Sequence, residues 1–358
     1  MRVLFVSRPA EGGMKRHLEL LQRELKSRGV DTAVAGPDGG DGTRYSCDVA
    51  DGIRPRSDLL ARRQIKAAIS HFRPDLIHYH GFKAALLGRS LRTGEVPAVC
   101  TLHGFMLRDG AYRHLGALMV AAERWQSHRT RAYIAVSDAL KRHYVQSVGL
   151  PEAKITVIPN PVDVPAGERK SLRPARTVQV VGTSGRLVPE KGIDMLIDAL
   201  RILGGTAPIQ LLIAGEGPER EQLERRVKAS NLESKVTFLG HVDDMNSFFE
   251  TLDIYVQPSV SEGFGMACAE AMAAGVPVLV SDAGGLAELA GYGEFGLVFR
   301  AGCVEELSDA LALLLAEEGL RDDLGAKGRQ SILTRFSPSV VADRTVTLYR
   351  SVVAGTAR

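Results

Sequence analysis

Short apolar runs alternate along this chain with longer segments whose apolar residues recur at helical spacing. The apolar runs predict buried strands, and the amphipathic segments predict helices that connect them. In the first half the predicted strands are residues 3–7, 32–35, 76–79, 98–102, 133–136 and 155–158. The predicted helices there are residues 15–28, 59–72, 115–131, and one that Asp138 caps and that runs through Ser147.

A segment rich in proline interrupts this pattern near the middle of the chain. Ile158-Pro-Asn-Pro-Val-Asp163 is followed by polar residues up to Pro174, which is typical of a linker. The alternation then restarts. The second half has predicted strands at residues 178–181, 210–214, 236–239, 254–256, 276–280 and 297–299, and predicted helices at residues 192–203, 218–230, 264–274, 304–317, 320–335 and 340–353.

Alternating strands and helices with apolar strands indicate parallel sheets that are covered on both faces. Two such runs around a linker predict an α/β protein with two doubly wound, Rossmann-like domains. Ligands in such sheets bind beyond the carboxyl ends of the strands, so a cleft between two facing domains is the expected active site.

Composition fits this architecture. A chain of 358 residues is long enough for two domains, and 45% apolar and 24% charged residues are ordinary for a soluble globular protein. No apolar run approaches the ~20 residues of a membrane span. The first apolar run ends at once in Arg8 and Pro9, which favours a strand over a signal peptide. Four scattered cysteines without a CxxC pair predict reduced thiols in a cytosolic protein.

Charge is distributed unevenly between the two halves. Residues 1–166 contain 25 Lys and Arg against 16 Asp and Glu, whereas residues 167–358 contain 20 against 26. A basic half joined to an acidic half suggests that the first half meets an anionic partner. Ordinary solvated surface charge is the alternative, and the sequence leaves both open.

The most informative segment is Glu262-Gly-Phe-Gly-Met-Ala-Cys-Ala-Glu270, between a predicted strand and a predicted helix. Unpaired backbone N–H groups at a helix N-terminus favour a phosphate. Glu262 lies before this helix and Glu270 about two turns into it. The two carboxylates suit a ligand with central phosphates and a hydroxyl-bearing ring at each end, such as a nucleotide-diphosphate sugar.

Two candidates in the first half also follow predicted strands. Glu11-Gly12-Gly13 allows close backbone approach to an anion, although it also fits an ordinary turn. His103 closes the fourth predicted strand and is able to exchange a proton or hydrogen bond a sugar hydroxyl. His78 and His80 compete with it. Together the three histidines make only a weak metal-ligand set, because no acidic residue is close in sequence.

Two loops complete the candidate site in the second half. Arg186 and Lys191 lie on the loop that leads into a helix, where an anion between them would offset their conflict with the helix dipole. Gly215-Glu-Gly217-Pro218 starts like a dinucleotide fingerprint, but Arg220 replaces its third glycine, so we expect no NAD. The chain has no Asp-x-Asp pair, and the two cations replace a metal clamp.

With these motifs in order, the chain resembles the family-4 retaining glycosyltransferases of the GT-B fold. The resemblance spans nearly the whole chain and is most specific in the second half. The family segments are Glu262 to Glu270, Gly185-Arg-Leu-Val-Pro-Glu-Lys-Gly192, Leu212-Ile-Ala-Gly-Glu-Gly-Pro218, Val236-Thr-Phe-Leu-Gly240, Pro277-Val-Leu-Val-Ser-Asp-Ala-Gly-Gly285 and Glu11-Gly-Gly13. Asn160-Pro-Val-Asp163 departs from the commoner Asn-Gly-Val-Asp.

The resemblance implies an N-terminal acceptor-binding domain over residues 1–166, a nucleotide-sugar domain over 167–338, and a helix over 339–358 that returns to the first domain. It implies catalytic roles for His103 and Glu262, which contact the transferred sugar, while Glu270 holds the ribose hydroxyls. The implied donor-binding residues are Gly12, Gly13, Arg186, Lys191, Gly215, Glu262, Gly263, Phe264, Gly265, Met266, Ala267 and Glu270.

The implied activity is transfer of a sugar from a nucleotide-diphosphate sugar, by family majority UDP-linked, to an acceptor hydroxyl with the α configuration kept. No metal or other cofactor is implied. The acceptor would be a glycan, a lipid-linked sugar or a small molecule. An anionic membrane surface is a further expected partner, and nucleic acid is not. The expected location is cytoplasmic or peripheral on a membrane. The alternatives are a UDP-sugar epimerase of the same fold, a soluble small-molecule glycosyltransferase and a non-catalytic binder of sugar nucleotides.

Overall fold

The computed structural model describes residues 1–8, 13–36, 43–49, 52, 54–91, 96–106, 116–165, 178–204 and 208–355. The chain divides into two compact units. One consists of Met1–Pro161 with Pro338–Arg358, and the other of Val162–Ser337. The predicted boundary after residue 166 lies at the start of a segment, 166–177, outside the described residues.

A parallel sheet of seven strands forms the centre of the first unit. Its strands are β1 (Arg2–Ser7), β2 (Asp31–Ala35), β3 (Thr43–Tyr45), β4 (Leu76–His80), β5 (Ala98–Leu102), β6 (Ala132–Ala135) and β7 (Ile155–Val157). They lie in the order β3-β2-β1-β4-β5-β6-β7. β3 was not predicted, because it is a short polar strand at the edge of the sheet and shows no apolar run.

Within the described residues, five α-helices lie between these strands: α1 (Gly13–Ser27), α2 (Pro55–Phe72), α3 (Phe82–Arg89), α4 (Gly116–Gln126) and α5 (Asp138–His143). The sequence did not predict α3. The predicted cap of α5 was wrong by one residue, because Ser137 adopts the extended cap conformation and its side chain accepts from Leu140 N. A π turn over Tyr144–Val148 continues α5.

A six-stranded parallel sheet forms the second unit. Its strands are β8 (Gln179–Ser184), β9 (Ile209–Ala214), β10 (Val236–Gly240), β11 (Ile254–Gln257), β12 (Val278–Ser281) and β13 (Leu297–Phe299), in the order β10-β9-β8-β11-β12-β13. Its helices are α6 (Ile193–Ile202), α7 (Arg220–Ala229), α8 (Met245–Thr251), α9 (Met266–Ala273), α10 (Leu286–Leu289), α11 (Val304–Ala316) and α12 (Glu318–Arg335).

The last helix, α13 (Pro338–Ala354), belongs to the first unit, where it packs against α1. Val341, Val346 and Tyr349 of α13 join Leu18 and Leu21 of α1 in the hydrophobic core of that unit. Burial of this stripe supplies most of the free energy that holds α13 in place, since helix propensity alone contributes little. None of the described helices is both long enough and apolar enough to span a membrane.

The strand orders place one topological switch point in each sheet. In the first sheet the chain moves outward from β1 to β3 and returns to add β4 on the other side of β1. In the second sheet β8 and β11 are the corresponding neighbours. Doubly wound sheets bind ligands beyond the carboxyl ends of such strands. The loops after β1, β4, β8 and β11 are therefore the expected ligand-binding positions.

Candidate functional site

In the second unit, the loops after β8 and β11 together with the first half of α9 contain most of the predicted donor-binding residues, and the two loops contact each other. Val260 N donates to Glu190 O at 2.9 Å, which joins the two loops through the backbone. Gly192 has a φ of 62°, and a Cβ there would lie 2.2 Å from Pro258 O. Only glycine therefore allows the loops to approach this closely.

Lys191 and Glu262 form an ion pair at this point. Lys191 Nζ lies 2.6 Å from Glu262 Oε2, and Gln257 Nε2 donates to the same oxygen at 2.8 Å. Among the described residues, no hydrogen bond reaches Glu262 Oε1. The lysine and the glutamine thus fix the carboxylate while one oxygen stays available to accept from a ligand hydroxyl.

Arg186, the second predicted cation, lies on the same loop five residues before Lys191 and is exposed. Its loop is fixed by backbone bonds to the segment after β9: Gly185 N donates to Ala214 O, and Leu187 N to Glu216 O. Gly215 has a φ of 135°, and a Cβ there would lie 1.9 Å from Gly185 O. This gives Gly215 a packing role that was not predicted.

The segment from Gly263 to Ala267 forms the start of α9. Gly265 has a φ of 95°, so the helix begins at Met266 and not at residue 264 as predicted. Gly263 and Gly265 are buried, and Met266 and Ala267 are half-buried. Phe264 is 4% exposed and packs against Phe336 with 5.7 Å between ring centroids. Its side chain is therefore used for packing, which leaves its backbone for a ligand.

Glu270 lies closer to the start of α9 than predicted. It is the fifth residue of the helix, about 6 Å along the axis from Met266, and its side chain is half-buried. Glu262 and Glu270 therefore remain at separate places, one on the loop after β11 and one on α9. The N-terminal backbone of α9 lies between them in sequence, as a ligand with a central diphosphate requires.

In the first unit, Gly13 is the first residue of α1, directly after the segment that follows β1. Gly12 lies outside the described residues. His103 follows β5 and is partly exposed. Burial of its ring and the nearby imidazoles of His17 and His78 hold the pKa of His103 well below its usual range. The ring is therefore neutral near pH 7, with one nitrogen donating and the other accepting.

His78 has a different role from the other histidines. Its Nδ1 lies 2.5 Å from Tyr349 Oη of α13, and its Nε2 lies 2.7 Å from Thr101 Oγ1 of β5. The ring is fully buried and both nitrogens have partners. His78 therefore connects α13 to the sheet and is not available to a ligand.

His80 and His103 instead meet a histidine that the sequence did not single out. His80 Nδ1 lies 3.1 Å from His103 Nε2. His17 of α1 is 4% exposed and packs edge-on to His103, with 5.0 Å between ring centroids. Burial lowers the pKa of His17 to about 4, and the Asn160 side chain offsets only part of that. One nitrogen from each ring lies within 4.8 Å of the others.

Two residues of the candidate sites, His17 in the first unit and Gln257 in the second, were not predicted from the sequence, for a physical reason in each case. His17 occupies a position of the buried stripe of α1, where a lone polar residue gives no signal in the apolar pattern. Gln257 is the last residue of β11, and its orientation toward Glu262 depends on the turn between them. The position of Gln257 at a strand end beside a switch point is the one clue that the sequence offered.

All four cysteines are free, and Cys47, Cys100 and Cys268 are buried. Burial raises the pKa of Cys47 and of Cys100 to about 12, so these thiols stay protonated and act as small apolar residues. A fully buried charge pair, Arg89 with Glu123, is hydrogen bonded to Thr130 and Tyr133 within the first unit.

Comparison with known proteins shows which family the chain belongs to. Residues 11–165 match the model of Glycosyltransferase Family 4, and residues 167–331 match that of Glycosyl transferases group 1. The phosphatidyl-myo-inositol mannosyltransferase of Mycobacterium leprae is 31% identical over 363 residues, which covers 95% of this chain and 93% of that protein.

Solved structures agree on the fold. Sucrose-phosphate synthase of Thermosynechococcus elongatus superposes with a TM-score of 0.82 at 21% identity, covering 99% of both chains. The Anabaena HepE protein in complex with UDP superposes with a TM-score of 0.81 at 21% identity, covering 98% of this chain and 100% of that one. Both predictions, of the family and of the doubly wound fold, are confirmed. The chain belongs to the group 1, family 4 glycosyltransferases and is a nucleotide-sugar-dependent glycosyltransferase of the GT-B fold.

Proposed function

We propose that this enzyme transfers a sugar from a UDP-sugar to an acceptor hydroxyl with retention of the α configuration and without a metal cofactor. The observation that favours this most is the arrangement after β8 and β11. There the Lys191–Glu262 ion pair, exposed Arg186 and the N-terminus of α9 follow the two strands that flank the switch point.

Each group has a distinct task in this proposal. Arg186, Lys191 and the backbone N–H groups at the start of α9 stabilise the diphosphate, so that its charge is offset when it leaves. Glu270 accepts from the ribose hydroxyls. Glu262, fixed through Oε2, uses Oε1 to accept from a hydroxyl of the transferred sugar. His103, neutral near pH 7, hydrogen bonds the transferred sugar.

Three considerations support UDP, retention and metal independence. Anabaena HepE has been solved with UDP and with UDP-glucose, which supports UDP as the nucleotide. The Glu262 to Glu270 motif resembles that of retaining members of the family, which supports retention. Two cations close to a helix N-terminus supply the charge that a divalent ion supplies elsewhere, which supports a metal-free diphosphate site.

A donor screen tests this assignment. Purified enzyme is given UDP-, GDP- and ADP-sugars with candidate acceptors, and release of nucleoside diphosphate is recorded with and without EDTA. We expect acceptor-dependent UDP release that EDTA does not reduce. Loss of turnover in EDTA with recovery in Mn²⁺ would contradict the metal-free site. Conversion of the donor sugar without acceptor would favour the epimerase.

We further propose that the acceptor lies at an anionic membrane surface, in synthesis of a glycolipid or a cell-envelope polysaccharide. The name of the M. leprae relative, phosphatidyl-myo-inositol mannosyltransferase, pairs a lipid with a mannosyl group, which supports this. Helix α2 supports it independently. Leu59 and Leu60 are 49% and 52% exposed. Exposed Arg56 and Arg63 lie three to four residues from them on the same face, and exposed Lys66 lies three residues beyond Arg63.

A second exposed apolar face lies on α4, where Leu118 and Trp125 are 63% and 65% exposed. Both α2 and α4 pack against α3 in the first unit. Each basic side chain near an anionic leaflet contributes about 1 kcal/mol, and exposed leucine and tryptophan add apolar contact at the interface. The two faces together suit reversible attachment.

Co-sedimentation tests the membrane surface. We expect binding to vesicles that contain phosphatidylglycerol, no binding to phosphatidylcholine alone, and release by salt because charge is screened over about 10 Å at 0.1 M. Leu59→Ser with Leu60→Ser should weaken binding. Leu313→Ser, which changes an exposed leucine in the other unit, is the control. Protein that stays in the supernatant with anionic vesicles at low salt would favour a soluble acceptor.

A further inference from the structure

The three histidines of the first unit converge from separate elements. His17 lies on the second turn of α1, His80 is the last residue of β4, and His103 follows β5. One ring nitrogen of each lies within 4.8 Å of the other two, and the His80 Nδ1 to His103 Nε2 distance is 3.1 Å. Because each ring is attached to a helix or at the end of a strand, the arrangement is fixed by the core of the unit.

His80 Nδ1 and His103 Nε2 are paired with each other, and the Asn160 side chain lies near the His17 ring, but other nitrogens of the cluster have no partner among the described residues. Within the described part of the chain, neither ring nitrogen of His17 nor Nε2 of His80 has a hydrogen-bond partner of ordinary geometry. His17 is 4% exposed and His80 is fully buried. A buried polar atom without a partner costs about 1–3 kcal/mol, so unpartnered nitrogens on two neighbouring buried rings are unusual unless something binds there.

The geometry is close to that of a three-histidine metal centre. Zinc binds imidazole nitrogen at about 2.0–2.1 Å, which puts two nitrogens of a tetrahedral site about 3.3 Å apart. The His80–His103 distance already meets this requirement. Rotation of the His17 ring would close the remaining gap of about 1.5 Å or less.

We propose that His17, His80 and His103 form a binding site for one divalent transition-metal ion of the Zn²⁺ class. Three imidazoles suit Zn²⁺, Co²⁺, Ni²⁺ or Cu²⁺ and not Mg²⁺ or Ca²⁺, which prefer oxygen ligands. Burial keeps the rings unprotonated near neutral pH, as ligation requires. Partly exposed His103 provides the route by which the ion enters and the side on which a fourth ligand binds.

The site has a consequence for activity that rests on the proposed function. If His103 hydrogen bonds the transferred sugar, an ion bound to His103 removes that contact. The ion would also add positive charge beside the sugar. Binding of Zn²⁺ at this site therefore inhibits transfer, while the donor diphosphate site in the second unit stays metal-free.

Titration with Co²⁺ tests the site without reference to catalysis. The full chain is stripped of metal and titrated, and the visible bands of Co²⁺ with a low coordination number are recorded. We expect one equivalent to bind and Zn²⁺ to displace it. His17→Gln and His17→Ala should each weaken binding by at least about 100-fold, since even loss of an outer partner of a ligand costs about 10–100-fold.

His241→Ala is the matched control. His241 is exposed, with Nε2 3.2 Å from Asp243, and is the kind of surface pair that binds metal adventitiously. Its change should leave the Co²⁺ bands of the wild-type chain unaltered. Absence of stoichiometric bands in the wild-type chain overturns the site, and this result does not depend on whether any variant folds. Loss of the Co²⁺ bands in the His241 variant, with the bands kept in both His17 variants, would also overturn the proposed site.

Inhibition is measured separately, as the ratio of turnover with and without Zn²⁺ for each variant. We expect the wild-type chain to lose at least about 90% of its turnover once the site is filled, and the His17 variants to need about 100-fold more Zn²⁺ for the same loss. Stoichiometric Co²⁺ binding with unchanged turnover would overturn the inhibition and, with it, the placement of His103 at the sugar. Absence of turnover in any screen would refute the proposed function and leave the Co²⁺ result intact.

Discussion

The ion pair between Lys191 and Glu262 gives the sharpest prediction for donor binding. Lys191→Ala removes a charge-assisted contact to the diphosphate, which costs about 1.5–3 kcal/mol. It also leaves the Glu262 carboxylate, which lies 2.6 Å from Lys191 Nζ, facing the donor without a counter-charge. Two like charges about 5 Å apart repel by about 3 kcal/mol at an effective dielectric constant of ~20.

Solvent reduces this repulsion, because the two side chains are 26% and 17% exposed. A screened value of about 2 kcal/mol gives a total loss of about 4 kcal/mol, or roughly 1,000-fold in UDP affinity. Glu262→Gln added to Lys191→Ala removes the repulsion but does not restore the lost contact to the diphosphate. The double variant should therefore lose only about 2 kcal/mol and bind UDP roughly 30-fold more tightly than Lys191→Ala alone.

Calorimetric titration of UDP into the wild-type chain, both single variants and the double variant completes the cycle. Free UDP is used because it carries no sugar, so the sugar contact of Glu262 does not enter. Glu262→Gln alone should leave UDP affinity nearly unchanged. Lys327→Ala with Asp323→Asn, an exposed ion pair of the same unit, is the control and should change nothing. Equal UDP affinity of the double and single lysine variants would refute the repulsion between an unpaired Glu262 and the bound diphosphate.

Three further predictions follow from the structure. Glu270→Ala should weaken free UDP and the UDP-sugar alike, by about 1.5–3 kcal/mol, and equal UDP affinity of variant and wild type by calorimetry would disprove its ribose role. Gly215→Ala should lower the free energy of unfolding by about 2 kcal/mol or more, because its Cβ would lie 1.9 Å from Gly185 O; urea denaturation measures this. Glu123→Gln should cost about 3–5 kcal/mol, since it leaves Arg89 buried without a counter-charge, whereas Glu306→Gln at the exposed pair with Arg300 should leave the unfolding midpoint nearly unchanged. Similar unfolding midpoints for the last two variants would contradict the contrast.

The repeating architecture was predictable from the sequence because buried parallel strands are short apolar runs and most of the helices have an apolar stripe. The predicted helix boundaries were wrong where a single residue determines the backbone conformation. Gly265 takes a left-handed conformation that delays α9 by two residues, and Ser137 displaces Asp138 as the cap of α5. β3 and α3 were missed because a short polar edge strand and a short helix have too few residues to show a period.

The composition of the candidate site was predictable in part, and its internal contacts were not. Glycines and charged residues at strand ends identified the loops. The Lys191–Glu262 pair spans 71 residues, and the histidine cluster joins α1, β4 and the residue after β5, so both contacts depend on strand order. His78 shows the same limit: the sequence treats it like His80, but Tyr349, 271 residues away, binds its ring.

We propose that the loops after β8 and β11 hold a nucleotide-sugar diphosphate without a metal. The most direct measurement is acceptor-dependent release of UDP from a UDP-sugar by the wild-type chain in EDTA, beside the Lys191→Ala variant at the same donor concentration. We expect undiminished release by the wild-type chain and a loss of roughly 1,000-fold in donor affinity for the variant. Release that requires added Mn²⁺, or a variant that binds donor as well as the wild-type chain, would contradict it.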